Sequence, residues 1–283
     1  NKNYELAIDN YRKAISINPF EQKYSKSIKA IAQEMASAGD INYRRQEFDT
    51  AINDYKKAID YYPEYTTAIF KLARTYYRLK DYENTKKYLE KNLNIDTKQE
   101  QSHKMLGDIY RKYGDYENAV KHYKLSVSIN PNYSKAFYSL GTLMLSKSKL
   151  NKAKEYLTKA TEIDINYDKA FGALGKVETE LKNYDLAIKY YNSALNINPK
   201  QFEIHYRLSS LYNEMKNYQK AKESSKKCLN IKRNYSPAFF ELGISEKALG
   251  NKVAALDAFE NAKRNKDWRK SAQFEIDMIN KGL

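Results

Sequence analysis

The sequence predicts an all-α fold, a solenoid of stacked helix–turn–helix repeats, and three observations carry that prediction. Small residues recur at a 34-residue spacing along nearly the whole of the 283-residue chain. Pro (5) and Gly (9) are scarce for a loop-rich or β-rich protein, while 30% charged residues suits long solvated helices. Between the small residues, apolar side chains return at alternating spacings of three and four, the helical period.

The register can be read position by position. Pro63, Thr97, Pro131, Ile165, Pro199 and Arg233 each follow the last by 34 residues. Five residues earlier stand Ala58, Asn92, Ser126, Ala160, Ala194 and Cys228, and Ala262 continues that series. Seven earlier again come Ala51, Thr85, Ala119, Ala153, Ala187, Ala221 and Ala255. A fourth series is Gly39, Ala73, Gly107, Gly141, Gly175, Ser209 and Gly243, with Leu before each from Leu72 onward. Small side chains belong where two helices approach most closely, because a larger one would push them apart. Pro closes the second helix because it cannot continue the hydrogen-bond ladder.

This pattern resembles the tetratricopeptide repeat, W-x2-L-G-x2-Y…A-x3-F…P over about 34 residues. The clearest matches are Leu106-Gly107-x2-Tyr110 with Ala119-x3-Tyr123 and Pro131, and Leu140-Gly141 with Ala153 and Ala160. The chain departs from the pattern at the Trp position, which holds Met35, Ile69, His103, Phe137, Phe171, His205 and Phe239. Two repeats carry Glu178 and Glu246 at the Tyr position, which predicts either local loosening or an unusual inter-helix contact there. The resemblance implies a right-handed superhelix of helical hairpins, with one face of each first helix lining a concave groove.

Each element then follows. Residues 1–19 match only a second helix, through Ala7, Tyr11, Ala14 and Pro19. Seven full repeats follow at 32–65, 66–99, 100–133, 134–167, 168–201, 202–235 and 236–269, so the repeat solenoid is read as residues 1–269. Pro19 and Pro63 are 44 residues apart, ten more than the period, and the register places the insertion before Gly39. Tyr24, Ile28, Ile31, Met35 and Ala38 form an unbroken helical stripe, so the extra residues are expected to lengthen one helix from about Tyr24 to Arg45. Residues 270–283 match a first helix without a partner, apolar at Ala272, Ile276 and Ile279, as a C-terminal capping helix should be. The front half-repeat is expected to leave Tyr4, Ile8, Tyr11 and Ile15 uncovered, a possible route to self-association. The chain opens without Met, so any targeting signal would be missing from these residues, and the compartment is left open with the cytoplasm slightly favoured.

No catalytic, cofactor or metal constellation is expected. His103, His122 and His205 do not cluster in the sequence, and Cys228 sits in a small-residue register with no evident His partner. The glycines belong to close-packing positions and turns, not to a phosphate-cradling loop. No apolar run approaches the roughly 18 residues of a membrane span. The reading is therefore a non-enzymatic interaction scaffold.

The net charge of +15 gains meaning from where it lies. On the face that the resemblance assigns to the groove, basic residues outnumber acidic seven to three, with six aromatics. The outward face of the second helices has eleven acidic residues, seven basic and no aromatic. Genome-wide drift toward Lys would enrich both faces alike. The candidate partner-binding residues are Phe70, Arg74, Tyr77, Lys104, Arg111, Lys135, Tyr138, Lys169, Lys176 and Tyr206. Against them, Arg74 could be taken up by Asp40 and Asp108 at the same register, and Phe70 could tuck between helices. Lys104, Lys135, Lys169 and Lys176 lack partners at equivalent positions. The set suits a protein or peptide partner that is acidic or carries aromatics. The alternative is a helical-repeat nucleic-acid binder, although such readers repeat their base-reading side chains and this set is irregular.

Overall fold

The computed structural model describes residues 2–282. Among them are sixteen helices and no strand. In chain order these are α1 (Lys2–Ile17), α2 (Gln22–Arg44), α3 (Phe48–Tyr61), α4 (Thr66–Arg78), α5 (Tyr82–Ile95), α6 (Glu100–Lys112), α7 (Tyr116–Ile129) and α8 (Ser134–Ser146). They continue as α9 (Leu150–Ile163), α10 (Asp168–Glu180), α11 (Tyr184–Ile197), α12 (Phe202–Glu214), α13 (Tyr218–Ile231), α14 (Ser236–Ala248), α15 (Lys252–Lys263) and α16 (Arg269–Asn280). The chain forms two compact units, Asn1–Ala136 and Phe137–Leu283. Within each unit, consecutive helices pack as neighbours, as in an α-solenoid.

Every hairpin is shaped by the same few residues. The small residues Ala51, Ala58, Ala119, Ala153, Ala160, Ala187, Ala194, Ala221, Ala255 and Ala262 are fully buried. A Cβ placed on Gly107 would come within 2.5 Å of the Tyr123 ring, so only glycine lets α6 approach α7 over that ring. Gly39 over Tyr55, Gly175 over Tyr191 and Gly243 over Phe259 repeat the arrangement. Two second helices begin on an aspartate cap: Asp81 and Asp115 accept from the backbone N–H of Asn84 and Asn118.

First helices end by crossing into left-handed backbone. Gly114 and Gly250 do this freely, but Gln46, Lys80, Ser148, Lys182 and Lys216 occupy the same register at φ between 54° and 65°. The turn thus keeps its shape in every repeat whether or not glycine is there.

The ends carry the irregularities. α2 runs unbroken for 23 residues, where the other helices that open a hairpin have 13. α16 buries Ala272, Ile276 and Ile279 against α15, and Phe274 on its other side is exposed. At the front, the expected open face is in part closed. Ile8 is fully buried, Tyr4 donates to Glu34 at 2.6 Å, and Tyr11 packs on Tyr24. The long α2 supplies those partners. The exposed apolar residues there are instead Leu6, Ile17 and Phe20, the last 92% exposed.

Candidate ligand-binding faces

In the second unit, three first helices build a groove of about 450 Å³. Lys169 and Lys176 stand two turns apart on α10, with Gly172 and Ala173 forming the floor between them. Tyr138, Thr142 and Leu145 of α8 make one wall, and Gln201, Glu203, Ile204 and Arg207 the other. Gly172 matters to the depth. A Cβ on it would meet the Ile204 methyl at 2.9 Å, so a larger residue would fill the floor or push α12 away. A second depression of about 170 Å³ continues the groove past Lys176 and Arg207 to Tyr206, Ser210 and Glu214.

Charge and aromatics are distributed unevenly here. Lys169 makes no ion pair among the described residues, whereas Lys176 lies 3.7 Å from Glu180 and both are substantially exposed. Tyr138 packs on Tyr167, and Tyr206 meets Tyr235 edge-on. Burial raises the Tyr206 phenol pKa, so this ring stays neutral and can donate a hydrogen bond. Glu214 is engaged by the Tyr184 hydroxyl. Arg207 was not among the sequence candidates, because its register position lies beside the stripe used to choose them. It lines both depressions.

The first unit carries Phe70, Arg74 and Tyr77 on α4, and Lys104 and Arg111 on α6. Phe70 and Tyr77 pack on a core of Leu89, Leu106 and Ile109, so both rings are partly spent between helices. Lys104 corrects the expectation that it lacks a partner. Its Nζ lies 2.6 Å from Asp108, one turn along the same helix, and Asp108 also accepts from the Tyr123 hydroxyl at 2.8 Å. An equivalent arrangement serves Asp40, which accepts from Tyr55 at 2.8 Å and from Lys71 at 2.5 Å. Both carboxylates are therefore taken by lysine and tyrosine. Arg74 lies instead over the Tyr43 ring, 4.7 Å from its centroid. Lys135, at the start of α8, makes no ion pair among the described residues.

Two histidines 19 residues apart in the chain meet. His103 of α6 and His122 of α7 face each other across one hairpin, Nδ1 to Nδ1 at 3.0 Å. His103 Nε2 reaches the Thr97 carbonyl at 3.2 Å, and Tyr110 stacks on the His122 ring. A carbonyl only accepts, so His103 carries its proton on Nε2, and His122 must donate from Nδ1. Burial lowers both pKa values, that of His122 to about 4. No group of three or more His, Cys, Asp or Glu side chains suited to a metal occurs among the described residues. Cys228 is buried, and desolvation raises its thiol to about 11, far from a reactive thiolate at neutral pH. No helix of the described residues is long and apolar enough to cross a membrane.

Models of the TPR repeat match residues 39–80, 107–148 and 175–216, and models of the tetratricopeptide repeat match 1–21, 66–99, 134–166 and 202–235. No curated protein matches the chain. Among solved structures, MamA is 24% identical over 61% of this chain and 94% of its own, with a TM-score of 0.55. YrrB, described as a TPR protein with an unusual peptide-binding site, is 17% identical over 69% of this chain and 98% of its own, TM-score 0.58. The pilF protein of Pseudomonas aeruginosa is 17% identical over 77% and 97%, TM-score 0.66. At these identities the likeness extends to the fold.

Proposed function

The chain belongs to the tetratricopeptide repeat family, whose members are generally scaffolds for protein interaction, and from that membership we propose a non-catalytic adaptor that holds a partner segment. The groove of the second unit carries the proposal. It combines an apolar floor of Leu145, Gly172, Ala173 and Ile204 with cations at Lys169, Lys176 and Arg207, and one acid, Glu203. A segment bearing an apolar anchor and flanking carboxylates matches both features, through burial on the floor and charge-assisted hydrogen bonds at the rim. The partner is then an acidic protein segment. YrrB, described as having a peptide-binding site, supports a peptide as the kind of occupant.

The test begins with capture on the immobilised chain and identification of bound proteins by mass spectrometry. Affinity of a captured segment is then measured for two charge-reversed pairs. Lys169→Glu with Lys176→Glu alters two cations that line the groove. Lys121→Glu with Lys189→Glu alters the outward face of second helices. The inner pair is expected to weaken binding with little change in melting temperature, since surface changes usually move stability by about 0.5 kcal/mol or less. Equal losses for the two pairs would sink the groove assignment. Co-purification of nucleic acid released by salt, with loss of binding on the same inner pair, would favour the nucleic-acid reading.

A further inference from the structure

We propose that Arg74 is an oxyanion seat, taking a carboxylate or phosphate group end-on against the two Nη groups of its guanidinium. This extends the interaction reading to the first unit and rests on it only for the source of the anion. The carboxylates that might have neutralised Arg74 are already engaged: Asp40 by Tyr55 and Lys71, Asp108 by Tyr123 and Lys104. Arg74 itself makes no hydrogen bond or ion pair among the described residues. Its Nε is sealed from solvent with no acceptor, so a ligand can approach only from the Nη end. Its terminal nitrogens are not sealed in this way.

The cation–π contact with Tyr43 restrains the guanidinium, whose planar fork offers a ligand two parallel N–H donors. A planar carboxylate matches that fork with two bonds, and a phosphate can do the same. The local charge favours an anion. Lys71, Arg74, Lys104 and Arg111 outnumber the two acids Asp40 and Asp108 by two charges. Lysine at position 74 could supply the charge but not the fork.

The experiment follows the Arg74 side-chain Nε–Hε resonance in a ¹⁵N-labelled chain, assigned by its loss in Arg74→Lys. Sodium acetate and inorganic phosphate are titrated separately at constant ionic strength, with chloride as the balancing salt. A saturable shift with either anion, and a rise in melting temperature that Arg74→Lys reduces, is the expected result. Roughly tenfold weaker binding to the lysine variant corresponds to one lost charge-assisted hydrogen bond. Tighter acetate binding assigns the seat to a carboxylate, and tighter phosphate binding to a phosphorylated group. A linear response shared by all three anions, or equal thermal protection of Arg74→Lys, overturns the proposal. That outcome would leave the groove of the second unit untouched, because its charge reversals are read on a captured segment. Failure of those reversals would in turn leave the anion titration unaffected.

Discussion

Lys222 Nζ lies 3.0 Å from Glu246 Oε2, and Lys154 Nζ lies 2.8 Å from Glu178 Oε1 at the positions 68 residues earlier. Each pair joins the second helix of one hairpin to the first helix of the next. Asn251 and Asn183 donate to the same two carboxylates at 2.7 and 2.8 Å. Both glutamates are almost wholly buried. At the same register, Ile52 and Tyr76 share one core cluster, Ile188 and Tyr212 another, and Lys86 lies 5.3 Å from the Tyr110 ring centroid. A buried acid thus occurs where lysine can reach it. Tyr76 and Tyr212 stand opposite isoleucine, and Tyr110 opposite a lysine.

Removing one partner should cost more than replacing both. Lys222→Ala leaves a buried carboxylate with only Asn251, a loss of about 2–4 kcal/mol in unfolding free energy. Lys222→Ile with Glu246→Tyr recreates the Ile188–Tyr212 combination and should recover most of it. Urea titrations of Lys222→Ile, Glu246→Tyr and the double variant close the cycle. Additive losses would show that the two residues are not coupled.

Gly107 tests how tightly a hairpin is closed. Gly107→Ala drives a Cβ into the buried Tyr123 ring and should destabilise by roughly 1–3 kcal/mol through overpacking. Ala73 and Leu89 share a core at the equivalent positions. Gly107→Ala with Tyr123→Leu should therefore be more stable than the sum of the single losses, measured by thermal denaturation.

The left-handed turns offer a gain. Lys182→Gly and Lys216→Gly relieve a backbone cost of roughly 1–2 kcal/mol for an L-residue at positive φ. Glycine's greater freedom in the unfolded chain takes back part of that, so about 0.5 kcal/mol of stabilisation each is expected. Gly114→Ala is the reverse control. Nothing lies within 4 Å of its added Cβ, so its loss reports backbone strain alone.

The histidine pair sets a pH dependence. Both pKa values are depressed in the fold, so the unfolded chain binds more protons at mildly acidic pH. Stability from the pair is complete above about pH 6.5, the ordinary histidine value, and is lost as pH falls toward 4. His122→Phe, which keeps a ring against Tyr110, should flatten the fall in melting temperature between pH 7 and 5. An unchanged slope would place the acid sensitivity elsewhere.

The repeat fold was legible because it depends on residue size at fixed spacing. Ala119, Ala153 and Ala187 are small for one geometric reason, and that reason recurs every 34 residues. Side-chain pairing was less legible, for two reasons. Lys104 and Asp108 stand one turn apart on a single helix, so their contact was implicit in the spacing. Arg74 over Tyr43 and His103 against His122 join different helices at separations of 31 and 19 residues, and only the crossing geometry decides that those side chains meet. Arg207 was missed because the groove is wider than a single stripe of one helix.

The Lys222–Glu246 linkage also limits how this array could be shortened by recombination. Excising residues 202–235 would set Ile188 opposite Glu246 and strand an acid in the interior. Excising residues 168–235 would instead bring Lys154 to Glu246, a junction the chain already uses at Glu178. Around the two acid-bearing repeats, a shortened array stays satisfied only where a lysine remains on the helix that precedes each glutamate.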